Sequence, residues 1–332
     1  MQTLSRVVIF ERLLERLRDY AEMEEEIDVL ELSQCVSMDK VTGYVFGSVN
    51  GTNFVEDVDS GRHWFEAYTS FKTLSPQKRA GGEIESSTLA MCEAAEASLG
   101  DLEEKASPSG STRPVVFEQL SQRLRDSSGG SLTQSKMRVV ASETLDHLIA
   151  GHESSAVTLT YFMYEMSLRP SLQIKLREEV LSLSPSLYKP STTETYTDNQ
   201  QYPQETDRLP KPSDIDSLPL LDSSLQETLR LHVVVPGPQP RVTPHSPTPT
   251  TIDGCTSIPS GVHVSCNAYT LHRNAEVFPS PETWLPERWL EADKDQRKEM
   301  MRWFWAFGNG GRMCIGNHFA LQSRFIFPVV LP

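Results

Sequence analysis

FGNGGRMCIG, Phe307 to Gly316, sets four glycines, one arginine and one cysteine in ten residues near the end of a 332-residue chain. Glycine permits positive φ and lets the backbone come close to a flat ligand. Cys314 is followed by Ile315, Gly316 and then NHFALQSR, which reads as helix. Its sulfur is therefore expected near a helix N-terminus, where the dipole and free N–H donors favour a thiolate. Arg312 stands two residues earlier, placed to pair with a carboxylate. Phe307 is placed to shield the sulfur from water. Two other readings stand beside this one. A lone cysteine in a glycine-rich turn is commonly a small buried hydrophobe. Cys314 and His318, four apart on one helical face, also suit zinc, but no second ligand pair of similar spacing accompanies them.

Working outward, composition narrows the field. Apolar residues make up 38%, enough for a sizeable core. The net charge of −14 disfavours binding nucleic acid through its phosphates. Five scattered cysteines without a CxxC argue for a reducing compartment rather than a disulfide framework. No apolar run approaches the roughly 20 residues needed to span a bilayer, and the charged, amphipathic start does not read as a signal peptide.

The first half reads as helical. Apolar residues recur at helical spacing over residues 4–32 and 83–106, and ASPSGSTRP, Ala106 to Pro114, is a loop by composition. A long helix is expected from about Ser135 to Leu168, stopping before Pro170 and spanning roughly 50 Å. A second follows from Ser171 to about Leu183. Residues 184–219 are Ser/Thr/Pro-rich and read as a polar surface loop. Leu220 to His232 returns to helix. VHVSCNA, Val262 to Ala268, alternates like a strand, with TIDG and IPSG as turns before it. The expectation is a mainly α fold with a small β portion, as one domain over residues 1–332.

The spacing F-x-x-G-x-R-x-C-x-G in Phe307, Gly310, Arg312, Cys314 and Gly316 resembles the haem-binding loop of the cytochrome P-450 family, the haem-thiolate monooxygenases. Other segments resemble that family in the same order. ETLRLH carries Glu227 and Arg230, which on a helix share one face and alone would read as a solvated pair worth well under about 1 kcal/mol. LPERWL carries Arg288. The resemblance implies that Glu227, Arg230 and Arg288 form a buried charge network beneath the cysteine loop, structural in role. GPQPRV carries Arg241, whose counterpart in the family meets a haem propionate, so Arg241 and Arg312 are implied to hold the porphyrin's negative ends. LHRNAEVFPSPETWLPERWL, Leu271 to Leu290, is similar throughout, with His272 structural or on the propionate side. AGHESS, Ala150 to Ser155, is similar to the segment that crosses the oxygen face of the haem. It implies room for O2 at Ala150 and Gly151, and proton relay by Glu153 and Ser154. Serine stands where the family usually has threonine, and lacks the methyl that restricts the rotamer. An ordinary polar patch is the plainer reading, although Gly151 inside a helix costs about 1 kcal/mol.

The implied cofactor is haem b, with Cys314 as the metal ligand. The implied partners are O2, a small apolar substrate and an NADPH-dependent flavoprotein reductase, whose acidic face would dock on a basic patch including Arg302 and Arg312. The sequence style resembles fungal members, many of which act in secondary metabolism. The chain lacks the family's early helices and departs from it over residues 325–332, so it is expected to be a truncated member. It is expected to be intracellular without a transmembrane segment, whereas complete relatives are anchored to the endoplasmic reticulum membrane. A non-catalytic remnant with weak or no haem binding is the alternative. A weaker third reading keeps haem but rearranges a peroxide or epoxide.

Overall fold

The computed structural model describes residues 2–73, 82–104, 113–126, 132–184, 210–246, 248–252 and 254–322. The chain divides into two units, one of Met1–Ile215 with Phe319–Pro332 and one of Asp216–His318.

In the first unit, charge interrupts the helix read over residues 4–32. α1 (Gln2–Ser5) continues as a π-helical stretch, Arg6–Leu13, and then as α2 (Leu14–Met23). α2 ends where Glu24 turns left-handed at φ 54°, at the head of three successive glutamates that repel one another. Asp28 then caps α3 (Val29–Phe46), its carboxylate accepting from the N–H groups of Leu30 at 2.9 Å and Glu31 at 3.0 Å. Such a cap is worth about 1 kcal/mol. α3 is buried almost all round, from Leu32 to Phe46. Inside it, Asp39 accepts from the Thr52 hydroxyl at 2.7 Å and from the N–H groups of Phe54 at 2.7 Å and Val55 at 3.1 Å, folding that stretch onto the helix.

α4 (Val58–Thr73), α5 (Glu83–Glu104) and α6 (Val115–Asp126) follow. The long helix is α7 (Gln134–Ser167), close to its expected bounds. Pro170, lacking an N–H, opens α8 (Pro170–Leu181) in its first turn. α7 packs on α3, α5 and α6. At its centre a Cβ on Gly151 would lie 2.7 Å from Cγ2 of Val41 on α3. The missing side chain there is filled by a neighbouring helix, so the room expected at Gly151 for O2 goes to packing instead. Ala150 is exposed. Most of the polar stretch 184–219, the loop at 106–112 and the tail 325–332 lie outside the described residues. The described end of the polar stretch holds a short helix, α9 (Pro212–Asp216), rather than loop alone.

In the second unit, α10 (Pro219–Leu231) leads to β1 (Pro238–Val242), which pairs antiparallel with β4 (His263–Asn267), Arg241 opposite Val264. β2 (Thr250–Ile252) and β3 (Cys255–Ile258) form a second antiparallel pair. The TIDG stretch read as a turn is therefore partly strand. Gly261, at φ 80°, makes the turn expected before β4. α11 (Ala268–Leu271), α12 (Glu287–Leu290) and α13 (Lys294–Trp303) precede the cysteine loop, and α14 (Asn317–Gln322) follows it. Phe278, Trp289 and Met300 form the core here, with Trp303 and Phe304 packed against them. Among the described residues no helix is long and apolar enough to cross a membrane.

Candidate functional site

The cysteine loop grows from the end of α13. Phe304 leaves the helix in an extended conformation, and the N–H of Gly308 then donates to Trp305 O at 3.0 Å. Gly308 and Gly310 have φ of 68° and 70°, a region that penalises any side chain. A 3-10 turn, Gly310–Arg312, follows. The loop closes where the N–H of Cys314 donates to Phe307 O at 2.9 Å. Cys314 is exposed, as are its apolar neighbours Met313 and Ile315. A Cβ on Gly316 would stand 3.8 Å from the Cys314 sulfur, so a larger residue there would lean on it. α14 begins at Asn317, so Cys314 stands three residues ahead of it rather than in its first turn. Its own N–H is already spent within the loop.

Behind the loop is a buried polar cluster. Glu227 and Arg230 lie on one face of α10, three residues apart. The Arg230 guanidinium donates to the Glu227 carboxylate at 2.9 Å and 2.7 Å. Arg288 Nε donates to Glu227 Oε1 at 3.0 Å. The N–H of Leu285 at 2.9 Å and Trp289 Nε1 at 2.8 Å complete five donors on one carboxylate. The guanidiniums' remaining N–H groups go to carbonyls: Arg230 to His272, Pro281 and Thr283, Arg288 to Pro279, Ser280 and Thr283. The structure thus brings Glu227, Arg230 and Arg288 into one network with its donors and acceptors matched, as buried charges require. The family resemblance pointed to the three charges but not to Trp289, Leu285 or the carbonyls.

His272 sits against this network. It is fully buried, with Nδ1 3.0 Å from Arg230 O, and Nε2 accepts from the N–H of Trp305 at 2.7 Å. Burial, outweighing the pull of Arg230 O, pushes its pKa down to about 4.

Arg241 and Arg312 are spread along the same unit. Arg241, half-buried on β1, donates to its neighbour Pro240 O at 2.9 Å. Arg312 is exposed at the end of the 3-10 turn. Among the described residues neither has a carboxylate partner, which leaves both available for an anionic group. Arg302, by contrast, is paired with Glu299 at 2.8 Å, so its charge is partly spent and it contributes less to a basic patch than its sequence suggests.

On α7, Glu153 and Ser154 stand half-buried beside each other. Tyr68 Oη donates to Glu153 Oε2 at 3.0 Å and Lys72 Nζ to Oε1 at 2.7 Å, both from α4. Burial pushes the Glu153 pKa up, but Lys72 and Tyr68 outweigh it and hold the carboxyl below its usual range. Ser154 Oγ donates to Ala150 O, one turn back, at 2.6 Å. His152 lies between Trp64, Phe65 and Tyr68 at ring separations of 5.4, 5.7 and 5.2 Å. No local pattern around His152 signals this clamp, since its members lie on a different helix.

Among the described residues no three His, Cys, Asp or Glu side chains converge as a protein-only metal site needs. Among those residues Cys314 and His318 have no third ligand of the kind a protein-only zinc site uses beside them. A single exposed soft sulfur instead suits a metal whose other ligands come with it, as in a porphyrin. Open space beside Gly310 and Gly311, the apolar Met313 and Ile315, and the carboxylate-free Arg312 fit a flat, largely apolar, dianionic group.

The family model for cytochrome P450 matches residues 6–330. A cytochrome P450 monooxygenase of Aspergillus versicolor, avaI, is 29% identical over 98% of this chain and 74% of its own length. Another from Aspergillus terreus, tazI, is 34% identical over 58% of this chain and 32% of its own length. A crystal structure of a cytochrome P450 superposes with a TM-score of 0.66 at 18% identity, over 99% of this chain and 66% of that one. The chain thus matches only part of each relative's length.

Proposed function

The chain belongs to the cytochrome P450 family, and from that premise we propose that it is a haem-thiolate monooxygenase that inserts one oxygen atom of O2 into a small apolar substrate in fungal secondary metabolism. The observation that carries this reading is the cysteine loop: an exposed sulfur on a backbone closed by the Cys314 to Phe307 bond, in the same unit as a buried, fully partnered Glu227–Arg230–Arg288 network.

In this reading Cys314 gives its thiolate to haem b, and Phe307 and Gly316 set what else reaches the sulfur. Gly310 gives the backbone its turn. Arg312 and Arg241 take the propionates. When bound, the haem supplies O2 activation and C–H oxidation. Glu153 and Ser154 handle protons. The carboxylate is ionised by Lys72 and Tyr68, and both it and Lys72 reach solvent, with side-chain exposures of 43% and 46%. A proton can therefore enter at Lys72 and Glu153 without crossing the core. The Ser154 hydroxyl must turn away from Ala150 O to pass it on. Electrons come from an NADPH-dependent flavoprotein reductase docking near Arg312.

The test is to express the chain with haem supplied, reduce it and add carbon monoxide. The expected result is the red-shifted Soret band of a thiolate-ligated complex, lost in Cys314→Ala. Free-haem behaviour that Cys314→Ala leaves unchanged overturns the proposal in favour of a non-catalytic remnant. A variant at an exposed position should itself change stability by no more than about 0.5 kcal/mol.

A further inference from the structure

We propose that His272 is a positioning residue for Cys314, accepting the Trp305 N–H so that the cysteine loop is fixed to the charge network behind it. The inference rests on the reading of Cys314 as the metal ligand. Its geometry requires one tautomer. Arg230 O can only accept, so Nδ1, 3.0 Å away, must carry the proton. The Trp305 N–H can only donate, so Nε2, 2.7 Å away, must be bare. Only the neutral Nδ1–H imidazole satisfies both bonds. Phe304 fixes the plane of the ring, stacked on it with centroids 5.3 Å apart and planes 13° apart.

The connection to the sulfur runs through backbone. The Trp305 N–H is held by His272, and Trp305 O in turn accepts from the N–H of Gly308 at 3.0 Å. One residue before Gly308 is Phe307, whose carbonyl takes the N–H of Cys314 at 2.9 Å. On the other side of the ring, Arg230 is held by the Glu227 carboxylate. A plain core histidine would fill space and satisfy its own nitrogens. This one joins α10 to the residues that begin the loop, and nothing else among the described hydrogen bonds holds the Trp305 N–H.

Two substitutions separate positioning from simple burial. His272→Asn keeps an N–H donor near Nδ1 for Arg230 O but is too short to reach Trp305. His272→Gln places a carbonyl oxygen near Nε2. Backbone amide exchange in the haem-free chain is the first readout. With one hydrogen bond lost, the Trp305 and Cys314 amides of His272→Asn should exchange roughly tenfold faster than in the parent. Those of His272→Gln should stay within about twofold of it. The second readout is the reduced carbon monoxide spectrum of the haem-loaded protein. There the ratio of thiolate-ligated to other haem should fall about tenfold in His272→Asn and be retained in His272→Gln.

Equal effects of the two substitutions overturn the proposal. So does faster exchange at Trp305 with Cys314 unchanged, because His272 would then anchor Trp305 without positioning the sulfur. Should the parent chain show no sulfur-ligated haem, the function proposed above fails. The amide comparison, together with the nitrogen resonances that report the tautomer, still decides for or against His272.

Discussion

Replacing Glu227 by Gln keeps the shape of the side chain and removes its charge. The amide nitrogen must stand where one carboxylate oxygen was. Oε1 accepts from Arg230, Arg288 and Leu285, and Oε2 from Arg230 and Trp289. The less damaging orientation puts the NH2 at Oε2, where it faces the Arg230 and Trp289 donors. Two hydrogen bonds are lost, each worth about 1.5–3 kcal/mol when a charged group takes part, and two buried guanidiniums lose their counter-charge. That matches the roughly 3–5 kcal/mol typical of breaking a buried pair, so the expected destabilisation is about 4 kcal/mol. Against a native stability of about 5–15 kcal/mol this is a large share. With a urea m-value near 2 kcal/mol/M, the midpoint should fall by roughly 2 M. Tryptophan fluorescence reads the transition directly, since Trp284 and Trp289 both bond to residues of α10. The exposed Glu276→Gln is the control and should shift the midpoint little. A fall of less than about 0.5 M for Glu227→Gln would refute the reasoning, showing that the arginines' carbonyl partners suffice without the carboxylate.

Gly151→Ala should cost about 1 kcal/mol, as the crowding of Val41 exceeds the gain in helix propensity, and Val41→Ala in the same chain should relieve it in a double-mutant cycle of urea midpoints. His272 carries a pKa of about 4 against an ordinary 6.5. Its folded-state value is lowered, so its contribution is present above pH 6.5 and is lost as the pH falls towards 4. Integrated, this amounts to about 3 kcal/mol, and His272→Gln should flatten the stability–pH curve in that window by about one proton. Lys72→Met removes the main charge that holds Glu153 ionised, so the Glu153 pKa should rise. Carbonyl NMR of the haem-free chain reads that shift. Ser154→Ala should lower product formed per NADPH and raise peroxide release, and unchanged coupling would exclude the relay assigned to its hydroxyl.

What the sequence made legible follows from how locally each feature is determined. α7 could be bounded because Pro170 ends it and thirty-odd residues of helical pattern precede it. The cysteine loop could be singled out because glycine, arginine and cysteine stand there at a spacing that resembles a known family's haem-binding loop. α3 was hidden by being buried nearly all round with Ser33, Asp39, Lys40 and Thr42 among its buried residues, which erases the apolar periodicity that marks a half-buried helix. β1 was hidden by Pro238 and Pro240, which are poor strand residues tolerated at a sheet edge. The partners of Glu153 were out of reach because Tyr68 and Lys72 are 85 and 81 residues away in sequence. Gly151 was assigned to oxygen because nothing nearby in sequence announces that Val41 fills its space. The acceptor role of His272 was equally invisible, since it depends on a backbone N–H 33 residues on.

The arginines of the buried network reach far along the chain, and this governs the order in which the protein can be made. Arg288 lies 61 residues beyond Glu227, so at roughly 5–20 residues per second a ribosome needs about 3–12 s to supply it. Until His272 and residues 281–285 are made, Glu227 and Arg230 have only each other among the partners in this network, as a neighbouring pair on one helical turn. The newborn segment must therefore wait, charged and incompletely sheltered, for its last cation to emerge, and any pause in translation between these positions prolongs the time in which chaperones and proteases can engage it.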